Sequence, residues 1–238
     1  MAKTFVAIFG TLLICAAFDG TVAKQCAKNG TTKCEDGKQN IVEGQSDISK
    51  GFPVTVKYLR TTVYNNKLVP TCYDSRPTVL LPGFTHFWEV HLIVPPNNYN
   101  VIKSGNVKMT ITNPNYDKPL CLNGLSQYEA LPSSLCNFNL CNFIGRNLCE
   151  LLQRPGNHTV REMEQKAGWN ATVVIPESPR IFGIPFVDLF AGEFNFEFLL
   201  ETEGKEIAHL EVPTNLAFVP IGMQNEEDED EEDGEGQC

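Results

Sequence analysis

Residues 193–222, EFNFEFLLETEGKEIAHLEVPTNLAFVPIG, decide the fold. Phe194, Phe196, Phe198 and Leu200 fall on one side of an extended chain, and Asn195, Glu197 and Glu201 on the other, with Leu199 the exception. Beyond Glu203-Gly204 the alternation resumes through Ala208, Leu210 and Val212. Apolar residues at period two, interrupted by a glycine-containing turn, predict an antiparallel β-hairpin with one buried face. Four large side chains in a row on that face call for a thick apolar interior opposite them.

Further strands precede the hairpin. Residues 54–64, VTVKYLRTTVY, and 85–94, THFWEVHLIV, are rich in β-branched and aromatic side chains, and Pro95-Pro96 ends the second run. Residues 107–112 alternate, and 171–175 form a short β-branched run. One short helix stands out: Thr159 and Glu162 have capping-box spacing, and Gly168 stops the helix after Ala167. Residues 176–191, PESPRIFGIPFVDLFA, are broken by proline yet apolar for a loop. Six or seven short strands with turns between them and one minor helix predict an all-β antiparallel sandwich.

At the N-terminus, Lys3 precedes an apolar run over residues 5–17, and Thr21 and Ala23 offer a cleavage site. This is the pattern of a secretory signal over residues 1–23, too short to span a bilayer well. The expected location is therefore extracellular, or a lysosomal lumen. The domain is expected over residues 24–223, and residues 224–238 read as a disordered acidic tail that ends in Cys238.

The formal charge of −10 is concentrated in that tail, where nine acids lie between Glu226 and Glu235. Without them, and without Lys3 and Asp19, 18 basic and 19 acidic residues remain. A nearly neutral body with no basic patch argues against a nucleic-acid partner. Glu226, Glu227, Asp228, Glu229 and Asp230 are candidates for weak Ca²⁺ binding through hard oxygen ligands, which motivates an alternative reading as an acidic matrix or mineral-associated glycoprotein.

Cys15 leaves with the signal. Cys26, Cys34, Cys72, Cys121, Cys136, Cys141, Cys149 and Cys238 remain, an even set that predicts disulfides in any of 105 pairings. Asn29, Asn157 and Asn170 head N-x-T sequons, expected at the surface with glycans.

Chemistry-bearing motifs are missing. Ser126 lies in Gly-Leu-Ser-Gln-Tyr, which lacks the second glycine of a nucleophile elbow, and no P-loop, dinucleotide fingerprint or HExxH occurs. His86 and His91, five apart on one strand, are expected on opposite faces and so not on one metal. No catalytic residue, resident metal or cofactor is expected.

The cysteine frame and the hairpin together resemble the ML lipid-recognition domain, in particular its ganglioside-activator branch. Cys34-Glu-Asp-Gly-Lys is similar to the opening cysteine of that branch, and Cys121, Cys136, Cys141 and Cys149 to its central cluster. Residues 176–192 resemble its apolar proline-rich loop, and residues 204–209 the start of its last strand, so the likeness runs from about Cys34 to Gly222. It implies an immunoglobulin-like β-sandwich whose sheets splay around an apolar cavity. The implied function is not enzymatic: such a protein extracts, carries or presents a lipid or glycolipid, touching a membrane transiently and in some cases serving a lipid hydrolase. In the family the opening cysteine bonds a cysteine where this chain has His209, so Cys34 needs another partner, with Cys26 the nearest candidate and Cys72 and Cys238 the others.

Under this reading Phe194, Phe196, Phe198 and Leu200 form one cavity wall, and Val90, Leu92, Val107, Met109 and Ile111 the opposite one. Ile181, Phe182, Ile184, Phe186, Leu189 and Phe190 form a mobile lip. Burying ~14 methylenes at ~0.8 kcal/mol each contributes on the order of 10 kcal/mol before ordering costs.

Overall fold

The computed structural model describes residues 34–96, 99–190 and 192–223. The expected signal, Cys26, Asn29, the tail carboxylates and Cys238 lie outside them.

The chain is mostly β. β1 (Ile41–Gly44) leads to β2 (Val54–Asn65), a two-strand ribbon of β3 (Cys72–Tyr73) and β4 (Arg76–Pro77), then β5 (Val79–Leu81) and β6 (Gly83–Val94). β7 (Asn106–Thr112), β8 (Cys121–Leu122), β9 (Leu125–Ser126) and β10 (Asn137–Asn139) follow. β11 (Gly156–Thr159) and β12 (Thr172–Ile175) flank a helix, and β13 (Arg180–Ile181) and β14 (Ile184–Pro185) make a small hairpin. The chain closes with β15 (Gly192–Thr202), β16 (Lys205–Val212) and β17 (Val219–Met223).

The opening hairpin is present. β15 and β16 pair antiparallel around Glu203-Gly204, whose φ angles of 51° and 75° are those of the two-residue turn that matches strand twist. β15 also pairs with β7, and β16 makes a short parallel contact with β2, which pairs in turn with β6. The resulting ladder of 13 strands is too long to stay flat. Its arms share core clusters: Val54 and Val94 pack with Ile207, and Leu92 and Leu200 border the same cluster. At the other end Val42, Val63 and Val219 gather Phe196 and Val212.

The capped helix is Val160–Ala167, with the Thr159 hydroxyl accepting from the Glu162 N–H and Gly168 left-handed at φ 64°. Helices are more numerous than the sequence predicts. Val101–Ser104, Leu140–Ile144, Arg146–Leu152 and Phe186–Leu189 are also helical. Each is too short to show an apolar period, and the first two are capped by Asn100 and Asn139 side chains.

Among the described residues three disulfides staple the body: Cys34–Cys72, Cys121–Cys136 and Cys141–Cys149. Cys34 thus takes Cys72 as its partner. The Cys141–Cys149 bond clips the helices Leu140–Ile144 and Arg146–Leu152 together beneath Val54 and Val94.

Candidate functional site

Strand register sets the first wall. Across β7, β15 and β16 the rows read Val107–Leu200–Ala208, Met109–Phe198–Leu210 and Ile111–Phe196–Val212. Directly opposed residues in antiparallel strands share a face. Val107, Met109 and Ile111 therefore stand on the same wall as Phe196, Phe198 and Leu200, which corrects their expected place opposite it. Phe194, Phe196 and Phe198 stack in sequence, with successive centroids 6.1 Å apart.

The facing surface belongs to β2 and β6. Val56 opposes Leu92 and Leu59 opposes Val90. A bulge with Lys57 the extra residue keeps Val54, Val56, Leu59, Thr61 and Val63 on one face of β2, and a second bulge, with Trp88 the extra residue, keeps Leu92, Val90 and Phe87 on the matching face of β6. The second bulge also overturns the expected separation of His86 and His91. They oppose Thr62 and Tyr58 and so share the outward face, about 13 Å apart along the strand. A shared metal is excluded by that distance rather than by orientation.

Packing differs along the walls. Phe194 is 1% exposed, and Val107 and Ile111 are buried. Phe196, Phe198, Leu200, Met109, Val90 and Leu92 are only half-buried. Among the described residues Phe198, Leu210, Val56 and Leu59, midway along the two arms, join none of the four core clusters. Two surface clefts, of about 340 and 800 Å³, open at the end where Tyr99 and Glu203 meet Lys205 and Arg154, and their linings mix polar and apolar side chains.

The apolar loop divides into anchor and tip. Ile181 and Phe190 are buried in a cluster with Ile111, Leu120, Leu131 and Phe194, and Phe186 and Leu189 pack against it. Of the six expected lip residues, Phe182 and Ile184 are the exposed ones, Phe182 by 87%. Phe182-Gly183 is the turn of the β13–β14 hairpin, with φ 52° and 84°. Left-handed backbone is costly for a bulky side chain, and this turn type favours Asn or Asp at its first position.

His209 lies on the opposite face of β16 from Ala208 and Leu210, 3% exposed. Its Nε2 sits 2.8 Å from Lys50 Nζ and 3.2 Å from Glu197 Oε2, and Glu211 Oε1 is 3.8 Å away. Phe52 stacks on the ring at 6.2 Å. Burial pushes the Glu197 carboxyl up, but hydrogen bonds from His209 and Lys50 outweigh it and hold the carboxyl below its ordinary value. His209, Glu197 and Glu211 offer donor atoms within 4.8 Å of one another, a spacing that could hold a cation. The Lys50 ammonium already supplies a positive charge there. Lys50 comes from a short helical turn far away in sequence, so no local pattern points to it. Gln45 and Glu211 exchange backbone hydrogen bonds of 3.1 and 2.9 Å, and Ser46 Oγ donates to the His209 carbonyl. These contacts tie β16 to the N-terminal segment without a disulfide.

His158 is buried with both ring nitrogens bonded, to Glu162 and to the Arg154 carbonyl. Asn157 and Asn170 are exposed.

No protein-family model and no curated protein matches the chain.

Proposed function

We propose that the chain is a secreted lipid carrier that takes acyl chains between the two arms of its sheet, in an ML-like, immunoglobulin-like sandwich of the ganglioside-activator kind. The observation that carries this reading is the apolar surface at mid-wall. Phe198, Leu210, Val56 and Leu59 are half-buried and belong to no core cluster. Close packing is the rule in protein interiors, and large apolar side chains that are half-exposed gain contacts when a ligand covers them. Both ends of the walls are fastened, by the cluster around Val54, Cys149 and Ile207 and by that around Val42, Val63 and Val219. An acyl chain would then lie along Met109, Phe198 and Leu210 on one side and Val56, Leu59 and Val90 on the other.

The loop supports the same reading. Phe182 adds an apolar side chain at a backbone position that disfavours it, and nothing in the core needs it there. It suits brief contact with a membrane from which lipid is taken. Titration with a fluorescent acyl probe tests the proposal: one site per molecule is expected, lost in Phe198→Asp, and absence of uptake by the folded wild type rejects it.

A further inference from the structure

The outward face of β2 and β6 carries an aromatic group unconnected with the apolar interior. Trp88, the extra residue of the second bulge, is 57% exposed yet held in place. Its indole N–H donates to Thr62 Oγ1 at 2.8 Å, and its ring meets His86 edge-on at 4.7 Å. Thr62 is wholly buried, and its hydroxyl donates to Tyr64, whose own hydroxyl donates to Asp36. An exposed indole whose N–H is satisfied by the protein is a fixed apolar plate open to a ligand's flat face.

β12 brings a sequon to that plate. Thr172 opposes His86, with its hydroxyl 2.9 Å from His86 Nδ1, and the Phe87 N–H donates to the Ala171 carbonyl at 2.9 Å. The Thr172–His86 pair and the Phe87–Ala171 bond run the two chains antiparallel, so Asn170 is next in line on the side of Trp88. Trp169 and Ala171 turn inward, Trp169 against Phe87 at 5.1 Å and Ala171 buried, so Asn170 faces out and is exposed. Asn170 Oδ1 accepts from the Thr172 N–H at 2.9 Å, which leaves the amide nitrogen to carry a sugar.

We propose that Trp88, flanked by His86, is an intramolecular docking plate for the glycan on Asn170, its first N-acetylglucosamine laying the C–H face of the ring on the indole. The proposal rests on the reading of the chain as secreted, because that supplies the glycan. Its physical effect is to cover an exposed aromatic and to brace the junction of β6 and β12.

The test uses the full chain secreted from eukaryotic cells, with site occupancy read by glycopeptide mass spectrometry. Wild type, Asn170→Gln, Trp88→Ala and the double variant are melted, before and after the glycan is trimmed to a single N-acetylglucosamine. Loss of the glycan is expected to lower Tm by about 2–4 °C when Trp88 is present and by nothing when it is absent, with the effect surviving trimming. Trp88→Tyr should restore part of the coupling. Additive effects of Asn170→Gln and Trp88→Ala, or an unoccupied Asn170 in the secreted protein, overturn the proposal. Acyl-probe uptake measured on the same preparations separates this outcome from the lipid reading: uptake that persists while coupling is nil sinks the docking plate alone.

Discussion

Phe198 and Met109 stand directly opposite each other on β15 and β7, facing inward, and both are half-buried. Phe194, four residues earlier on the same face, is closed in by Ile111, Leu120 and Phe190. One strand thus carries a buried end and a half-exposed middle, and under the proposed lipid reading that contrast separates residues that hold the fold from residues that meet a ligand.

Substitution at the two positions should divide accordingly. Phe194→Ala empties a closed site and is expected to cost about 3–5 kcal/mol in chemical denaturation. Phe198→Ala should cost distinctly less, about 1–2 kcal/mol, while abolishing acyl-probe uptake. Equal destabilisation by both would mean that Phe198 is ordinary core.

At the loop tip, stability and function should move in opposite directions. Phe182→Asn places a residue suited to left-handed backbone in the β13–β14 turn and is expected to leave stability unchanged or raise it by up to about 0.5 kcal/mol. Transfer of lipid between vesicles should slow several-fold. Full transfer activity in this variant would remove the tip from the account.

The carboxyl of Glu197 has a folded pKa below its ordinary 4.5, so folding favours its charged form. The stabilisation is fully present above about pH 4.5 and is lost as pH falls through the folded value. Glu197→Gln should therefore lower Tm at pH 7, and the difference from wild type should shrink below pH 4.5. A difference that stays constant down to pH 3 would contradict the contacts with His209 and Lys50.

Cys34–Cys72 closes a separation of 38 residues and pins the segment before β1. Replacing both cysteines by alanine should cost about 3–4 kcal/mol on loop entropy alone. Peptide mapping without reductant should recover the 34–72 pair; a Cys26–Cys34 pair would contradict it.

What was legible in the sequence was local. The β15–β16 turn and the Thr159 cap depend on a few adjacent residues, and both are where the chain predicts them. Neighbour relations between distant strands are not encoded that way. Val107, Met109 and Ile111 alternate as a wall should, but alternation cannot say that β7 lies beside β15 instead of across from it. His86 and His91 were misplaced for a related reason: one extra residue, Trp88, reverses the face of everything beyond it. An apolar loop can anchor itself, as Ile181 and Phe190 do, so of the six lip residues expected from composition Phe182 and Ile184 are the exposed ones. The contact between Lys50 and His209 spans 159 residues, and no local pattern reports it.

The central claim is a lipid between the arms of the sheet. Its most direct test is native purification of the secreted protein, extraction with organic solvent and lipid mass spectrometry against measured protein. Wild type is expected to yield close to one acyl lipid per molecule, and Phe198→Asp purified alongside a strongly reduced amount. Folded wild-type protein that yields no lipid above the level of that variant would contradict it.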